Sequence, residues 1–521
     1  MLTPEYLQSV PEAMVELYAQ AEADILADMA RRINGFDLFI PSAQYQLQRL
    51  EEMGEVRSGI VKRLSALTGK SRKELAAIMG EAGAEALRAD EAVYKAAGLM
   101  ASPLNASAAV QEVLKAGLKK TQGLFTNLTK TTANTATKQF ERALDRAYMQ
   151  IGSGAIDAET AIRGAIKDLA KQGVEAVQYP SGHTDTLEVA VRRATITGVN
   201  QTCLQMQIAR ADELGVDLVE TTAHAGARPS HAEWQGQIFS RSGKSLKYPD
   251  FVSATGYGTG EGLGGWNCSH SFRPYVEGTP RTYSKELLEE YEAKGYEYNG
   301  QKMTEYEALQ AQRQIERHIR RWKRENMAMA AAGKDTAESA GKLRQWQAAE
   351  KDFLAQTGLK KQSARSAVAG WDRKQAAHAS AEGRRMQQWA NELFNLGNPQ
   401  ANLKKYLREK PVIDTLEAHG VKYIQRISRT EVIVDTGRPR ITGLTFHAAE
   451  NQQQRLDRVD MTQEAAQGFV DQAKLTLYQI DRRNLKFLAE GGYAVLNFEH
   501  KLVTAVPQKW RHKYDKYLEE G

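Results

Sequence analysis

The sequence predicts a protein that is mainly α-helical in its N-terminal region and in a basic arm, with a small α+β central module and a C-terminal α+β domain. Three observations predict this fold class. Apolar residues recur at helical spacing over 1–178 and 281–398, glycine-rich stretches with short strand-like runs fill 179–280, and further strand-like runs fill 399–521. A chain of 521 residues is long enough for three or four domains of about 150 residues each.

Composition narrows the class of protein. Apolar residues make up 42% of the chain, which excludes a wholly disordered polymer. The two cysteines, Cys203 and Cys268, are too few to cross-link a chain of this size, so we expect apolar burial and a reducing compartment. The N-terminal residues lack a basic start, and no run approaches about 18 apolar residues. We therefore expect neither a signal peptide nor contact with a membrane.

Residues 1–178 have the pattern of a helical bundle. Pro11 suits the first turn of a helix that should end near 34–35. Ser71 and Glu74 match a capping box, which predicts a helix start at Ser71. A longer helix is predicted over 107–150. Its middle, TNLTKTTANTATK, should be frayed or broken, because threonine and asparagine side chains compete for backbone hydrogen bonds.

The spacing of apolar residues stops being helical at Tyr179, where the central module is predicted to begin. A helix should run from Thr186 to Leu214 and end at Gly215, followed by a strand over 217–222. The glycine-rich stretch 241–265 predicts loops and turns. In the C-terminal domain, the runs KYIQRI, EVIVDT, AVLNF and LVTAV predict strands, with one helix near 462–475.

The central module contains the densest group of chemically versatile residues. His224, Arg228, His231 and Trp234 lie in HAGARPSHAEWQGQIF, and Cys268 and His270 lie in GLGGWNCSHSFRP. Three interpretations remain open for this motif. In the first, His224, His231, Cys268 and His270 bind zinc, although their spacing fits no common zinc motif. In the second, Cys268 is a nucleophile with one of the histidines as its base. In the third, the histidines and Arg228 form hydrogen bonds with the loop backbone above an aromatic core. That core would comprise Trp234, Phe239, Trp266, Phe272 and Tyr275.

These motifs resemble a known family. HAGARPSHAEWQGQIF, YPDF and GLGGWNCSHSFRPYVEG resemble the signature of tailed-phage minor capsid proteins of the "minor capsid protein 2" type, which are related to Mu F-like head-morphogenesis proteins. RRATITGVNQTCLQMQIARADELGVDLVETTAH, from Arg192, and the segment 348–377 are similar to flanking parts of the same family, so the resemblance covers roughly 1–390. Family members often have Cys-Arg-His where this chain has Cys268-Ser269-His270.

The resemblance implies a structural or morphogenetic component of the virion, inside the phage head and made in the cytoplasm of the bacterial host. Its expected partners are the portal protein, through the helical region 1–178, and packaged double-stranded DNA. The major capsid protein or a scaffold protein is a further expected partner. The resemblance implies no enzymatic activity over 1–398 and no cofactor, with zinc as the alternative noted above.

A local excess of positive charge supports the expectation of DNA contact. Residues 313–385 contain 17 Lys or Arg against 8 Asp or Glu, whereas the net charge of the whole chain is +6. Five arginines lie three or four residues apart on one predicted helix face, where we expect sequence-independent contact with DNA phosphates. They are Arg313, Arg317, Arg320, Arg321 and Arg324. The alternative is a solvated helix face on which Glu316 and Glu325 form ordinary ion pairs.

The C-terminal domain resembles the small RNase-like domains, of the barnase/EndoU/colicin/RelE-like kind, that are appended to some phage head proteins. The resemblance lies in strand order and in His447, Arg455, Arg458 and Thr504, which would act as acid, base, phosphate ligand or hydroxyl donor. A head-carried nuclease is therefore the alternative function. The competing interpretation is a structural accessory domain without activity.

Overall fold

A computed structural model describes residues 2–103, 105–153, 156–445, 448–449 and 462–518. The chain forms two compact units, unit 1 over 1–385 and unit 2 over 386–521. Unit 1 contains the predicted N-terminal region and central module and nearly all of the basic arm. The finer division into four parts stays a prediction.

The N-terminal part of unit 1 is helical, as predicted. Its helices are α1 (Pro4–Ser9), α2 (Glu12–Gly35), α3 (Ser42–Ala66), α4 (Thr68–Ala96), α5 (Ala108–Gly152) and α6 (Ala158–Gln172). Apolar side chains from these helices form one continuous core, which includes Met14, Ile25, Ile60, Phe140 and Ile166. Burial of such a core is the main stabilising contribution to folding.

The expectation of a break in the threonine-rich segment is wrong, because α5 runs through it without interruption. Four threonine hydroxyls of this segment donate to backbone carbonyls one turn earlier, as Thr131 does to Asn127 and Thr137 does to Ala133. Their hydrogen-bonding capacity is thereby satisfied within the helix. Burial of Leu128, Ala133 and Ala136 in the core adds a tertiary contribution that overrides local propensity.

The predicted helix start at Ser71 is also wrong. Helix α4 begins at Thr68, and the Ser71 hydroxyl donates to the Thr68 carbonyl from inside the first turn. Leu67 keeps helical dihedral angles between α3 and α4. The chain therefore passes from one helix to the next with a single intervening residue, and no side-chain cap is present there.

The central module begins with the antiparallel pair β1 (Glu175–Gln178) and β2 (Thr184–Thr186), followed by α7 (Leu187–Glu213). Its three-stranded antiparallel sheet has the order β4-β3-β5. The elements are β3 (Leu218–Thr221), α8 (Pro229–Ala232), β4 (Ile238–Ser240), α9 (Phe251–Thr255) and β5 (Phe272–Pro274). The predicted helix over 186–214 and the strand within 217–222 are both confirmed.

Helix α7 packs tightly against α5 through two glycine–threonine contacts. A Cβ atom built on Gly117 would lie 2.2 Å from Oγ1 of Thr202, and one on Gly198 would lie 2.5 Å from Oγ1 of Thr121. Both positions therefore require glycine for the observed approach of the two helices. The threonines donate back to the carbonyls of Gly198 and Gly117, respectively, which keeps their hydroxyls bonded within the contact.

The arm continues with α10 (Lys285–Ala293), the hairpin of β6 (Gly295–Tyr298) and β7 (Gln301–Thr304), and the long helices α11 (Glu305–Ala331) and α12 (Ala337–Thr357). A 3-10 helix (Ser363–Ser366) and α13 (Arg373–Leu393) follow. A local apolar cluster of Ile319, Trp322, Ala340, Leu343 and Ala379 joins α11, α12 and α13.

Unit 2 is an α+β domain with a seven-stranded sheet of order β10-β14-β13-β12-β11-β9-β8. All neighbouring pairs are antiparallel except β10 and β14. The elements are α14 (Pro399–Glu417), β8 (Lys422–Arg426), β9 (Glu431–Asp435), β10 (Gly443–Leu444), α15 (Gln463–Asp471), β11 (Leu475–Gln479), β12 (Asn484–Ala489), β13 (Gly492–Leu496), β14 (Lys501–Pro507) and a 3-10 helix (His512–Tyr517). The four predicted strands and the predicted helix are present.

Candidate functional site

Polar side chains on α7 hold the loop that carries the Cys268 motif. Asn200 is buried, and its Nδ2 donates to the carbonyls of Cys268 (3.2 Å) and His270 (3.0 Å). Gln201 Nε2 donates to the carbonyl of Gly264 (3.1 Å). A loop without strand partners must satisfy its carbonyls in this way. Helix α7 therefore sets the position of the motif relative to the helical core.

The same helix orients the strand that follows the motif. Gln207 is buried, and its Nε2 donates to the carbonyl of Phe272 (2.8 Å) and to Oδ2 of Asp90 (2.6 Å). Asp90 is itself buried on α4, and burial raises the pKa of its carboxyl group. The motif is thus tied through α7 to the N-terminal helices.

Three predicted motif residues meet in one buried triangle. The Sγ atom of Cys268 lies 3.7 Å from Nδ1 of His231 and 3.7 Å from Nδ1 of His270, and the two Nδ1 atoms are 3.4 Å apart. All three side chains are almost fully buried. His231 comes from α8, whereas Cys268 and His270 come from the loop before β5. The triangle therefore joins two segments that are far apart in sequence.

Each histidine of the triangle has a partner on its outer nitrogen. His231 Nε2 donates to the carbonyl of Glu261 (2.8 Å), and His270 Nε2 donates to Oε1 of Gln235 (3.3 Å). The same Gln235 oxygen accepts the backbone N–H of His224 (3.1 Å). These bonds place the ring protons on Nε2 and leave both Nδ1 lone pairs directed at the triangle.

His224, Arg228 and Trp234 surround the triangle without being part of it. The Nδ1 atom of His224 bonds the carbonyl of Ala225 (2.9 Å), and its ring centroid lies 4.6 Å from that of His270. Trp234 packs its ring against both triangle histidines, at centroid distances of 4.7 and 4.8 Å. Arg228 Nη2 donates to the carbonyl of Trp266 (3.2 Å).

The aromatic core predicted beneath these loops is present with one exception. Trp234, Phe239 and Phe272 are buried together, alongside Val219 and Leu263, and Tyr275 is also buried. Trp266, in contrast, is 58% exposed and lies over Gly260, where a Cβ atom would approach the indole ring to 2.7 Å. The expectation that Trp266 is a core residue is therefore wrong.

Electrostatics disfavour Cys268 as a nucleophile. Burial raises the pKa of the Cys268 thiol, and it lowers the pKa of His231 and, more strongly, that of His270. Reactive cysteines need a thiolate in an electropositive, accessible setting. Cys268 is 2% exposed, and its imidazole neighbours favour the neutral form.

A buried glutamate in the module was not predicted from the sequence. Glu220 lies on β3 opposite Arg273 of β5, whose Nη2 approaches its Oε2 to 2.9 Å. The carboxylate also accepts the backbone N–H groups of Thr282 and Tyr283, and Arg281 lies 3.6 Å away. This network fixes the chain after β5 to the sheet. The sequence feature that could have indicated it is a charged residue inside a predicted buried strand, because a buried charge requires a partner of opposite charge.

The five arginines predicted to contact DNA all lie on α11, but most of them face neighbouring elements. Arg317 is exposed, whereas the other four are half-buried. Arg320 forms an ion pair with Glu188, and Arg324 lies 3.8 Å from Glu22. The half-buried arginines are Arg313, Arg320, Arg321 and Arg324. DNA contact by these residues stays a prediction, with Arg317 the most accessible of them.

The expectation of ordinary surface ion pairs for Glu316 and Glu325 is wrong. Both side chains are 1% exposed, and their carboxylate oxygens have no hydrogen-bond partner within the part of the chain that the structure describes. Burial raises the pKa of each carboxyl group to about 7. Two acidic groups of α11 are thus held in an environment that favours the protonated form.

The predicted nuclease residues of unit 2 are not brought together by the described structure. His447, Arg455 and Arg458 lie outside the described residues. Thr504 is half-buried on β14, opposite Val495 of β13. The RNase-like interpretation therefore stays a prediction.

The structure places the signature motifs in a glycine-rich His/Cys module that is held by a helical core. These motifs indicate the class of phage structural proteins. Residues 2–355 match the family described as Phage minor capsid protein 2. This match covers more than half of the chain, and the protein belongs to that family. The resemblance stated from the sequence motifs is confirmed, and the protein is a structural component of a phage virion.

Two curated relatives support the same assignment. The chain is 28% identical over 214 residues to a "Structural protein" of Lactococcus phage LL-H, a match that covers 40% of this chain and 53% of the relative. It is 34% identical over 116 residues to a "Structural protein" of Lactococcus phage mv4, covering 21% of this chain and 85% of the relative. The chain thus spans about half the length of the LL-H protein. No solved structure matches the chain significantly.

Among the described residues, no helix is long and apolar enough to cross a membrane.

Proposed function

We propose that this minor capsid protein lies inside the phage head and docks on the portal through its helical N-terminal region, 1–178. The observation that carries the proposal is a pair of exposed leucines on α3. Leu47 and Leu50 are 70% and 59% exposed, and their spacing of three residues places them side by side on one helix face. Phe39, just before α3, is 77% exposed. Exposed apolar side chains grouped in this way are typical of protein-binding surfaces.

The test is binding of the purified full chain to portal rings of the same phage. Replacing Leu47 and Leu50 together with glutamate should weaken binding about tenfold or more, because two carboxylates buried against an apolar partner surface would lose their hydration without gaining a partner. Leu246→Glu is the matched control, since Leu246 is a fully exposed leucine of the central module. Unchanged portal binding by the double variant would refute this docking surface. Loss of binding to the major capsid or scaffold protein alone would identify a different partner for the two leucines.

We also propose that the basic arm contacts packaged double-stranded DNA. The excess of positive charge over 313–385 supports this. Helix α13 offers exposed cations within unit 1 in addition to Arg317 on α11. They are Arg373, Lys374, Arg384 and Arg385. Exposed guanidinium and ammonium groups bind phosphates without sequence preference and release counterions in doing so.

The salt dependence of DNA binding tests this contact. Replacing Arg317, Arg384 and Arg385 with alanine should lower the affinity for a random duplex and reduce the slope of log K against log salt by up to about 3, one unit for each lost phosphate contact. The control replaces Lys119 and Lys120, two exposed lysines of α5, with alanine. If both variants change the slope equally per charge removed, binding reflects overall charge and the arm has no special role.

A further inference from the structure

We propose that His231 Nδ1, Cys268 Sγ and His270 Nδ1 bind one Zn²⁺ ion, with a water molecule as the fourth ligand. The distances within the triangle carry the assignment. Zinc binds imidazole nitrogen at about 2.0–2.1 Å and thiolate sulfur at about 2.3 Å, usually in a tetrahedron. Tetrahedral angles then separate two nitrogens by about 3.3 Å and nitrogen from sulfur by about 3.6 Å. The observed separations are 3.4 Å between the nitrogens and 3.7 Å from each nitrogen to the sulfur.

The orientation of the two imidazoles supports the same conclusion. With the ring protons on Nε2, donated to the Glu261 carbonyl and to Gln235, both Nδ1 atoms are acceptors that face each other. The single S–H proton of Cys268 can satisfy one of them. The other would be a buried acceptor without a donor, which is costly. A cation at the centre of the triangle satisfies both lone pairs at once.

The surroundings of the sulfur are those of a ligand. The backbone N–H of His270 donates to Cys268 Sγ, at 3.4 Å, and such a bond stabilises the negative charge of a zinc-bound thiolate, which the burial of Cys268 otherwise disfavours. Outer hydrogen bonds that fix the imidazole rings are the usual second shell of a zinc site. One thiolate with two imidazoles is a donor set that suits zinc better than magnesium, calcium or manganese.

The ion would tie α8 to the loop before β5. This loop and α8 have few strand hydrogen bonds of their own, and the three ligands come from both segments. His224 stands outside the ligand set, because its Nδ1 bonds the Ala225 carbonyl. It therefore serves as a control: a neighbouring histidine of the same motif that the proposal does not require.

The experiment measures zinc in the full-length protein by mass spectrometry, after removal of metal and equilibration with excess Zn²⁺ followed by gel filtration. We expect about one zinc per chain in the wild type, in His224→Gln and in Cys203→Ala, which removes the other cysteine. Cys268→Ala and His270→Ala should each retain about one tenth of the wild-type zinc or less. Circular dichroism reports whether each variant is folded.

Cobalt substitution keeps the proposal testable if a ligand variant fails to fold. Co²⁺-loaded wild type and Cys203→Ala should both show a sulfur-to-cobalt charge-transfer band and the intense visible bands of four-coordinate cobalt. Substoichiometric zinc in the wild type would overturn the proposal, as would full zinc in folded Cys268→Ala or a cobalt spectrum without the sulfur band. Loss of zinc from folded His224→Gln would overturn the three-ligand assignment.

Discussion

The two buried glutamates of α11 predict that unit 1 loses stability as the pH rises. Glu316 and Glu325 have pKa values of about 7 in the folded chain, against 4.5 for an ordinary glutamate. Because the folded-state pKa is raised, the stabilising contribution is fully present below pH 4.5 and is lost as the pH rises through 7. At about 1.4 kcal/mol per pKa unit, each carboxyl group would cost up to about 3.5 kcal/mol above pH 8.

Replacement by glutamine mimics the protonated carboxyl group and should remove this dependence. We expect Glu316→Gln and Glu325→Gln to be nearly neutral at pH 5 and to raise the free energy of unfolding by about 2–3 kcal/mol at pH 8. The nearby cations, Arg365 for Glu316 and Lys167 for Glu325, lower the carboxyl pKa values and so limit the effect. Glu112→Gln on α5 is the control, since Glu112 is exposed to solvent.

Urea unfolding between pH 5 and 8 measures the effect. The tryptophan signal reports on unit 1 alone once Trp389 and Trp510 are replaced with phenylalanine, because the other tryptophans lie within 1–385. A destabilising effect of the two ionised carboxylates is refuted if the stability of the parent chain is flat or rises over this range. It is equally refuted if both glutamine variants are destabilised at pH 8.

Three further predictions concern helix packing, metal binding and unit 2. Gly117→Ala should destabilise unit 1 by about 1–3 kcal/mol, because the new methyl group would clash with Thr202. The midpoint of urea unfolding measures this loss, and an unchanged midpoint would contradict the close packing of α5 and α7. Gln235→Leu should weaken zinc binding about 10–100-fold in a competition titration with a chelator, because it removes the hydrogen-bond acceptor of the His270 imidazole. Equal zinc affinity in the variant would show that Gln235 does not support the zinc ligands. Full-length protein incubated with RNA tests the RNase-like interpretation: cleavage that disappears in the His447→Ala, Arg455→Ala double variant would support it, and no cleavage by the wild type would end it.

Regular elements with a strong local signal were predictable from the sequence. Helix α7 was expected over 186–214 and spans Leu187–Glu213, because a threonine cap and a following glycine mark its ends. Segments with ambiguous local signals were not. The threonine-rich part of α5 has poor helix propensity, and only its burial against the core and its back-bonded hydroxyls explain why the helix continues.

The candidate site was predictable as a group of residues but not as a geometry. The sequence brought His224, His231, Cys268 and His270 together as zinc-binding candidates, and their spacing matched no common motif. Which three of the four converge depends on Asn200 and Gln235, whose side chains set the loop backbone and one imidazole ring. Amides in such roles leave no pattern in the sequence, because their partners are backbone carbonyls and distant side chains.

The boundaries of the family match bear on how the two units should be interpreted. Residues 2–355 all lie in unit 1, where α7 belongs both to the helical core, through Val191 and Cys203, and to the His/Cys module, through Asn200. A perturbation of the triangle is therefore expected to reach the N-terminal helices through α7. Unit 2 lies outside the match, so membership in the minor capsid family says nothing about its chemistry. Its role must be decided by experiments on its own residues, whichever way the portal and zinc experiments turn out.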